Sequence, residues 1–83
     1  MRQFDFTFWL AEDPRDLEEW SHALYSAGAD DSTCGLRSGR PYAAFNREGT
    51  SLEEAIRSAH QHVQAAGLRV LRCELEDMAW VRT

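Results

Sequence analysis

Three histidines, two cysteines and an adjacent pair of aspartates are the residues with the most reactive chemistry in this 83-residue chain. His60 and His62 suggest a metal pair, but both lie in a segment with helical periodicity. Positions two apart on a helix point away from each other, and ligand pairs stand three or four apart. His22 lies on a different helix, and no cysteine or carboxylate completes a tetrahedral set. Asp30 and Asp31 are neighbours in extended chain, so their carboxylates point to opposite sides and suit a solvated turn better than joint ligation. Neither Cys34 nor Cys73 starts a helix, where a thiolate would be favoured, and a buried strand residue is the simpler reading of each. Gly28, Gly35 and Gly39 read as turn and strand glycines rather than a phosphate-cradling loop. An acid–base enzyme would have to use His60 or His62 with Asp31, brought together in a pocket. The expectation is therefore no catalytic set, no metal and no cofactor.

Trp9 and Tyr42 offer a different chemistry. Alternation places both on one sheet face, with Thr7 and Ala44 beside them. Aromatics so placed stack bases in some RNA-binding domains. Here 14 acids outweigh 9 bases for a net charge of −5, which disfavours nucleic acid. An apolar patch covered by a second subunit or another protein fits better. Trp80, after the last strand, joins these residues as a candidate interface position or as an intramolecular cover. Arg37, Arg40 and Arg47 flank the third strand. They suit an anionic ligand or an acidic partner, or else simple surface ion pairs, which is the preferred reading.

The elements that position these residues follow from periodicity. Phe4, Phe6, Phe8 and Leu10 alternate along a strand over 3–10, with Asp5, Thr7 and Trp9 on its other face. Asp13 caps and Pro14 opens a helix over 16–27, with Leu17, Trp20, Leu24 and Ala27 as its apolar stripe. Gly28 stops it. Segments 32–37 and 41–47 form a hairpin about Ser38-Gly39, with Ala43 and Phe45 on one face. Ser51 and Glu54 form a capping box for a helix over 52–66, whose stripe is Leu52, Ala55, Ile56, Ala59, Val63 and Ala66, and Gly67 ends it. The last strand spans 68–75. Arg69, Leu71, Cys73 and Leu75 make its more apolar face and are expected inward, unless a bulge reverses the choice partway.

The order β-α-β-β-α-β is that of the split βαβ, or ferredoxin-like, arrangement. It predicts an α+β domain: a four-stranded, mostly antiparallel sheet in the order 4-1-3-2, with two helices on one face. The first and third strands are expected to lie parallel at its centre. Cys34 and Cys73 then fall on opposite edges, too far apart for a disulfide. One domain over 1–83 is expected, with a core at 3–76 and a tail at 77–83. No apolar run approaches a membrane span and residues 1–5 lack a signal-peptide core, which points to the cytosol. All the basic residues are arginine.

Four segments, Ala27-Gly28-Ala29-Asp30-Asp31, Phe45-Asn46-Arg47-Glu48, Ser51-Leu52-Glu53-Glu54-Ala55-Ile56 and Ser58-Ala59, carry a resemblance. The chain resembles, over roughly 4–78, the N-terminal part of a small bacterial family. In many of its members this region precedes a helix-turn-helix, and they are described as DNA-binding or antitoxin-like. Gly49 departs from the family's usual alanine, and His62-Val63 from its Asp-Val. The helix-turn-helix that would follow Asp77 in that family is not expected in this chain, so the resemblance implies the remaining module only, one for dimerisation, sensing or partner binding. The functional expectation is a non-enzymatic bacterial binding or oligomerisation module acting through its open sheet face. The alternatives are a small-molecule sensor and the His–Asp enzyme.

Overall fold

The computed structural model describes residues 2–75. In chain order the elements are β1 (Arg2–Leu10), α1 (Leu17–Ser26), β2 (Ser32–Arg37), β3 (Arg40–Gly49), α2 (Leu52–Ala65) and β4 (Val70–Leu75). The strands make one sheet in the order β2-β3-β1-β4, and both helices cover the same face: the ferredoxin-like topology of an α+β domain. Every strand pair is antiparallel. The expected parallel centre is therefore wrong, for a topological reason. Each helical crossover joins strands of the same direction, and the β2–β3 hairpin reverses the chain between them, so β1 and β3 run oppositely.

The core forms where the Phe row meets the helical stripes. Phe6, Phe8, Ala43 and Phe45 of the sheet cluster with Trp20 and Leu24 of α1 and with Ala55, Ala59 and Val63 of α2. The rings of Phe6, Phe8 and Phe45 lie 5.4–5.5 Å apart, centroid to centroid. Alanines on α2 let that helix sit close to this aromatic layer, which a bulkier stripe would hold off.

Local signals set the ends. Both helices close in a Schellman motif. Gly28 (φ +108°) and Gly67 (φ +82°) take the left-handed position. The next residues, Ala29 and Leu68, donate back to Leu24 and Val63. The start of α1 differs from expectation. Asp16, not Asp13, is the cap, and with Glu19 it makes the reciprocal capping box. Asp13 is occupied instead by Arg15, which donates to its carboxylate from the backbone N–H, Nε and Nη2 at 2.8–3.0 Å. Those bonds draw the Asp13 carboxyl down to about 2. Arg15 Nη2 also reaches the carbonyl of Ala66, the C-cap of α2, where a cation suits the helix dipole. In α2 the expected box is half made. Ser51 accepts from the Glu54 N–H, but the Glu54 carboxylate turns to the backbone and hydroxyl of Thr50.

The last strand changes face partway. Leu75, Glu74, Cys73 and Arg72 pair with Phe6, Thr7, Phe8 and Trp9, then a register shift brings Val70 opposite Leu10. Cys73 and Leu75 thus share the side of Phe8 and Phe6, while Leu71 is 62% exposed. Leu68 and Val70 join the core in place of Arg69 and Leu71. One bulged residue flips every side chain before it, which is why a single period could not fit the strand. β4 is also an edge strand, and Cys73 is exposed rather than buried. No helix among the described residues is long and apolar enough to cross a membrane.

Candidate functional site

The face of the sheet turned away from the helices is ordered in rows. Arg72, Trp9, Tyr42 and Gly35 make one row; Glu74, Thr7, Ala44 and Thr33 the next; then come Asp5 with Asn46, and Gln3 with Glu48. At the hairpin end Arg37 stands opposite Arg40. Four of the five expected interface residues, Thr7, Trp9, Tyr42 and Ala44, are therefore neighbours at the centre of this face. The fifth, Trp80, lies outside the described residues, as does the suggested cover by the Met78–Trp80 tail.

Charged groups hold the aromatic pair in place. The Trp9 and Tyr42 rings are 5.7 Å apart and tilted by 56°. The Arg37 guanidinium lies over both, 5.9 Å from Trp9 and 5.5 Å from Tyr42, and Arg72 approaches Trp9 at 5.6 Å. The indole N–H donates to Glu74 at 2.8 Å. Tyr42 lies across Gly35: a Cβ there would meet the phenol oxygen at 2.7 Å. The missing side chain of Gly35 is what seats the ring, a strand glycine covered by a cross-strand aromatic. The pair and Arg37, together with Asp5, Thr7, Thr33, Asn46 and Glu74, line a hollow of about 430 Å³. Within that lining Asn46 donates to the Asp5 carboxylate. Thr7 is covered by its neighbours, at 4% exposed.

On the helix side, the third of the arginines grouped by sequence goes elsewhere. Arg47 follows Phe45 by two and points inward with it, so it is buried rather than part of a surface cluster with Arg37 and Arg40. Its Nε and Nη2 donate to the two Asp31 oxygens at 2.8 and 2.7 Å. Its Nη1 donates to Ser58 Oγ at 3.2 Å and to His62 Nδ1 at 3.0 Å. An arginine has only donors, so His62 accepts at Nδ1 and carries its hydrogen on Nε2. That edge of the ring packs on Gly28, where a Cβ would lie 3.2 Å from Nε2. The guanidinium stands 5.1 Å from the centre of the Phe45 ring. Asp31 is held below the usual carboxylate range, chiefly by its bonds to Arg47.

This cluster decides how the His–Asp pairing reads chemically. Asp31 and His62 do converge, but each meets Arg47 with the lone pairs a general base would use. His60 is not part of it and sits edge-on to Phe8, 6.3 Å between ring centres. His22 is exposed on α1. What the arrangement does is tie the α1–β2 connection, β3 and α2 together through one guanidinium. Segments that carried the resemblance thus meet in space, since Gly28, Asp31, Arg47 and Ser58 all belong to them.

Among the described residues, no group of three or more His, Cys, Asp or Glu side chains gathers as a metal site would require. Cys34 is half-buried beside Ser32, with Oγ and Sγ 3.9 Å apart, and burial pushes its thiol up. Sequence reasoning missed the inward Arg47, whose signal was its spacing from Phe45. It also missed the flanking of Trp9 by Arg72 and Glu74, which depends on a register that no local pattern reveals. Compared with known proteins, the chain matches no family model, no curated protein and no solved structure.

Proposed function

We propose that this chain is a non-enzymatic interaction module of the bacterial cytosol, a regulatory or antitoxin-like component that works by protein–protein contact through the open sheet face. The observation that carries this reading is the Trp9–Tyr42 pair. Two large aromatic side chains stand in a sheet centre with neither described helix over them, held in one arrangement by Arg37, Arg72 and Glu74. Rings already held in place lose little freedom on docking, and aromatics flanked by arginine are the side chains that dominate protein interfaces. The Arg47 cluster supports the fold on the opposite face and leaves the open one for recognition.

The test is photo-crosslinking in cells with a benzophenone amino acid at Thr33, exposed in the central row of this face, and at Tyr25, 65% exposed on α1. Protein adducts from position 33 and none from 25 are expected. No adduct from 33, or equal adducts from both, overturns the reading. A second reading, a small-ligand sensor, has the hollow lined by Trp9 and Tyr42 in its favour. A metabolite that raises the melting temperature of a protein giving no adducts at 33 would establish it instead.

A further inference from the structure

We infer that the partner of the open face is a second copy of this chain, stacked sheet on sheet about a two-fold axis that crosses the strands. This rests on the reading of the face as a protein contact and names its occupant. The argument starts from how charge is laid out along the strands. Relative to the row through Thr7 and Ala44, Arg37, Arg40 and Arg72 stand toward the hairpin end and Asp5 and Glu48 toward the other, with Glu74 in that row itself. Arg37 and Arg40 face each other directly across the hairpin. Like charges so placed repel, and among the described residues no carboxylate forms an ion pair with either, Arg37 lying instead over the Trp9 and Tyr42 rings. Neither Arg40 nor Glu48 forms an ion pair with another described residue.

A face-to-face dimer has two simple choices of axis. An axis along the strands lays arginine end over arginine end. An axis across them reverses one copy, so each arginine end covers an acidic end. With that axis over the row Glu74–Thr7–Ala44–Thr33, the rows on either side exchange. The Trp9–Tyr42 row of one copy then falls over the Asp5–Asn46 row of the other. The next rows out bring Arg40 of each copy over Glu48 of its partner. The outer rows thus set base over acid, while Glu74, on the axis, meets the partner's Glu74 with its carboxylate already accepting from the Trp9 N–H of its own chain.

The size of the face sets the strength. Four strands at about 4.8 Å spacing and about eight residues of 3.3 Å rise, enough to include Arg40 and Glu48, give a footprint of roughly 500 Å². That is below the ~800 Å² per partner of a standard interface, so association should be weak and concentration-dependent.

The test is a charge swap read by sedimentation over a concentration series at low and high salt. Wild type is expected to associate with concentration and to loosen in salt. Arg40→Glu alone and Glu48→Arg alone each set like charges against each other at two symmetric contacts. Each should raise the association midpoint at least tenfold. The double variant, and an equal mixture of the two singles, should return to within about threefold of wild type. Both positions are exposed, so each variant should fold: the melting temperature of Glu48→Arg should stay put, and that of Arg40→Glu, which sets opposite charges across the hairpin from Arg37, should not fall below wild type. A strictly monomeric wild type, indifferent single swaps, or a double that fails to recover overturns the dimer. Adducts from Thr33 to a different protein, with a monomeric wild type, overturn the dimer and keep the interaction reading. An absence of adducts removes both.

Discussion

Removing the Asp31 carboxylate should destabilise this protein more than removing the arginine it holds. In Asp31→Ala the Arg47 guanidinium loses two bonds of 2.7–2.8 Å and keeps only Ser58 and His62, while its side chain is just 8% exposed. Stranding a fully buried charge costs about 3–5 kcal/mol. The Asp31 side chain is 31% exposed, so water can take over part of its role, and a discount of about one third gives roughly 2–3 kcal/mol. For a domain of this size that lowers the melting temperature by about 10–20 °C. In Arg47→Met the carboxylate left behind is already near water, and the thioether fills the space of the arginine stem, so the loss should be about 0–1.5 kcal/mol. Urea denaturation of both variants reads the difference. A penalty below about 1 kcal/mol for Asp31→Ala, or one no larger than that of Arg47→Met, would refute the idea that an unpaired buried guanidinium dominates. The pH dependence follows in sign. The folded-state carboxyl of Asp31 lies below its unfolded value, so its contribution is complete above about pH 4 and fades as pH falls toward the folded value. Wild type and Asp31→Ala should therefore converge in stability in acid and separate above that point.

Two further predictions concern the sheet. Gly35→Ala should leave the fold intact, because the obstructed atoms are the outer end of the Tyr42 ring, which can swing away. The Trp9–Tyr42 arrangement should be lost, seen as a changed near-ultraviolet circular dichroism spectrum; an unchanged spectrum would mean that Gly35 does not seat the ring. Cys34 and Cys73 stand at the two ends of one row, with Ala43 and Phe8 between them. Three strand spacings separate them by about 14 Å, far beyond disulfide reach. Intact mass of the unreduced protein should show two free thiols, with the exposed Cys73 alkylated before the half-buried Cys34.

Most of the fold was legible because burial writes itself as a period. The Phe4, Phe6, Phe8 and Leu10 alternation and the α2 stripe from Leu52 to Ala66 each mark one wet side and one dry side, and both elements formed as read. Gly28 and Gly67 were legible for a different reason, since a left-handed helix end admits few residues besides glycine. What failed was competition among nearby groups. Asp13 and Asp16 both suit a helix start, and Arg15 settled the matter by taking Asp13. Glu54 had two neighbours to satisfy and chose Thr50. The site divides the same way. That Trp9 and Tyr42 share a face follows from parity. That Arg72 and Glu74 flank Trp9 follows from pairing across 63 and 65 residues, which the sequence does not display.

The position of β1 between β3 and β4 has a consequence for biosynthesis. It is the central strand with the richest aromatic row, yet it is translated before both of its neighbours. At about 5–20 residues per second, roughly 3–13 s pass between completion of Leu10 and completion of Leu75. During that interval Phe4, Phe6 and Phe8 belong to a nascent chain with at least one strand edge unclaimed, the condition in which chains stick to one another. Asp5 interrupts the row between Phe4 and Phe6. On the emerging polypeptide it is a charge that discourages premature pairing, long before Asn46 arrives to become its partner.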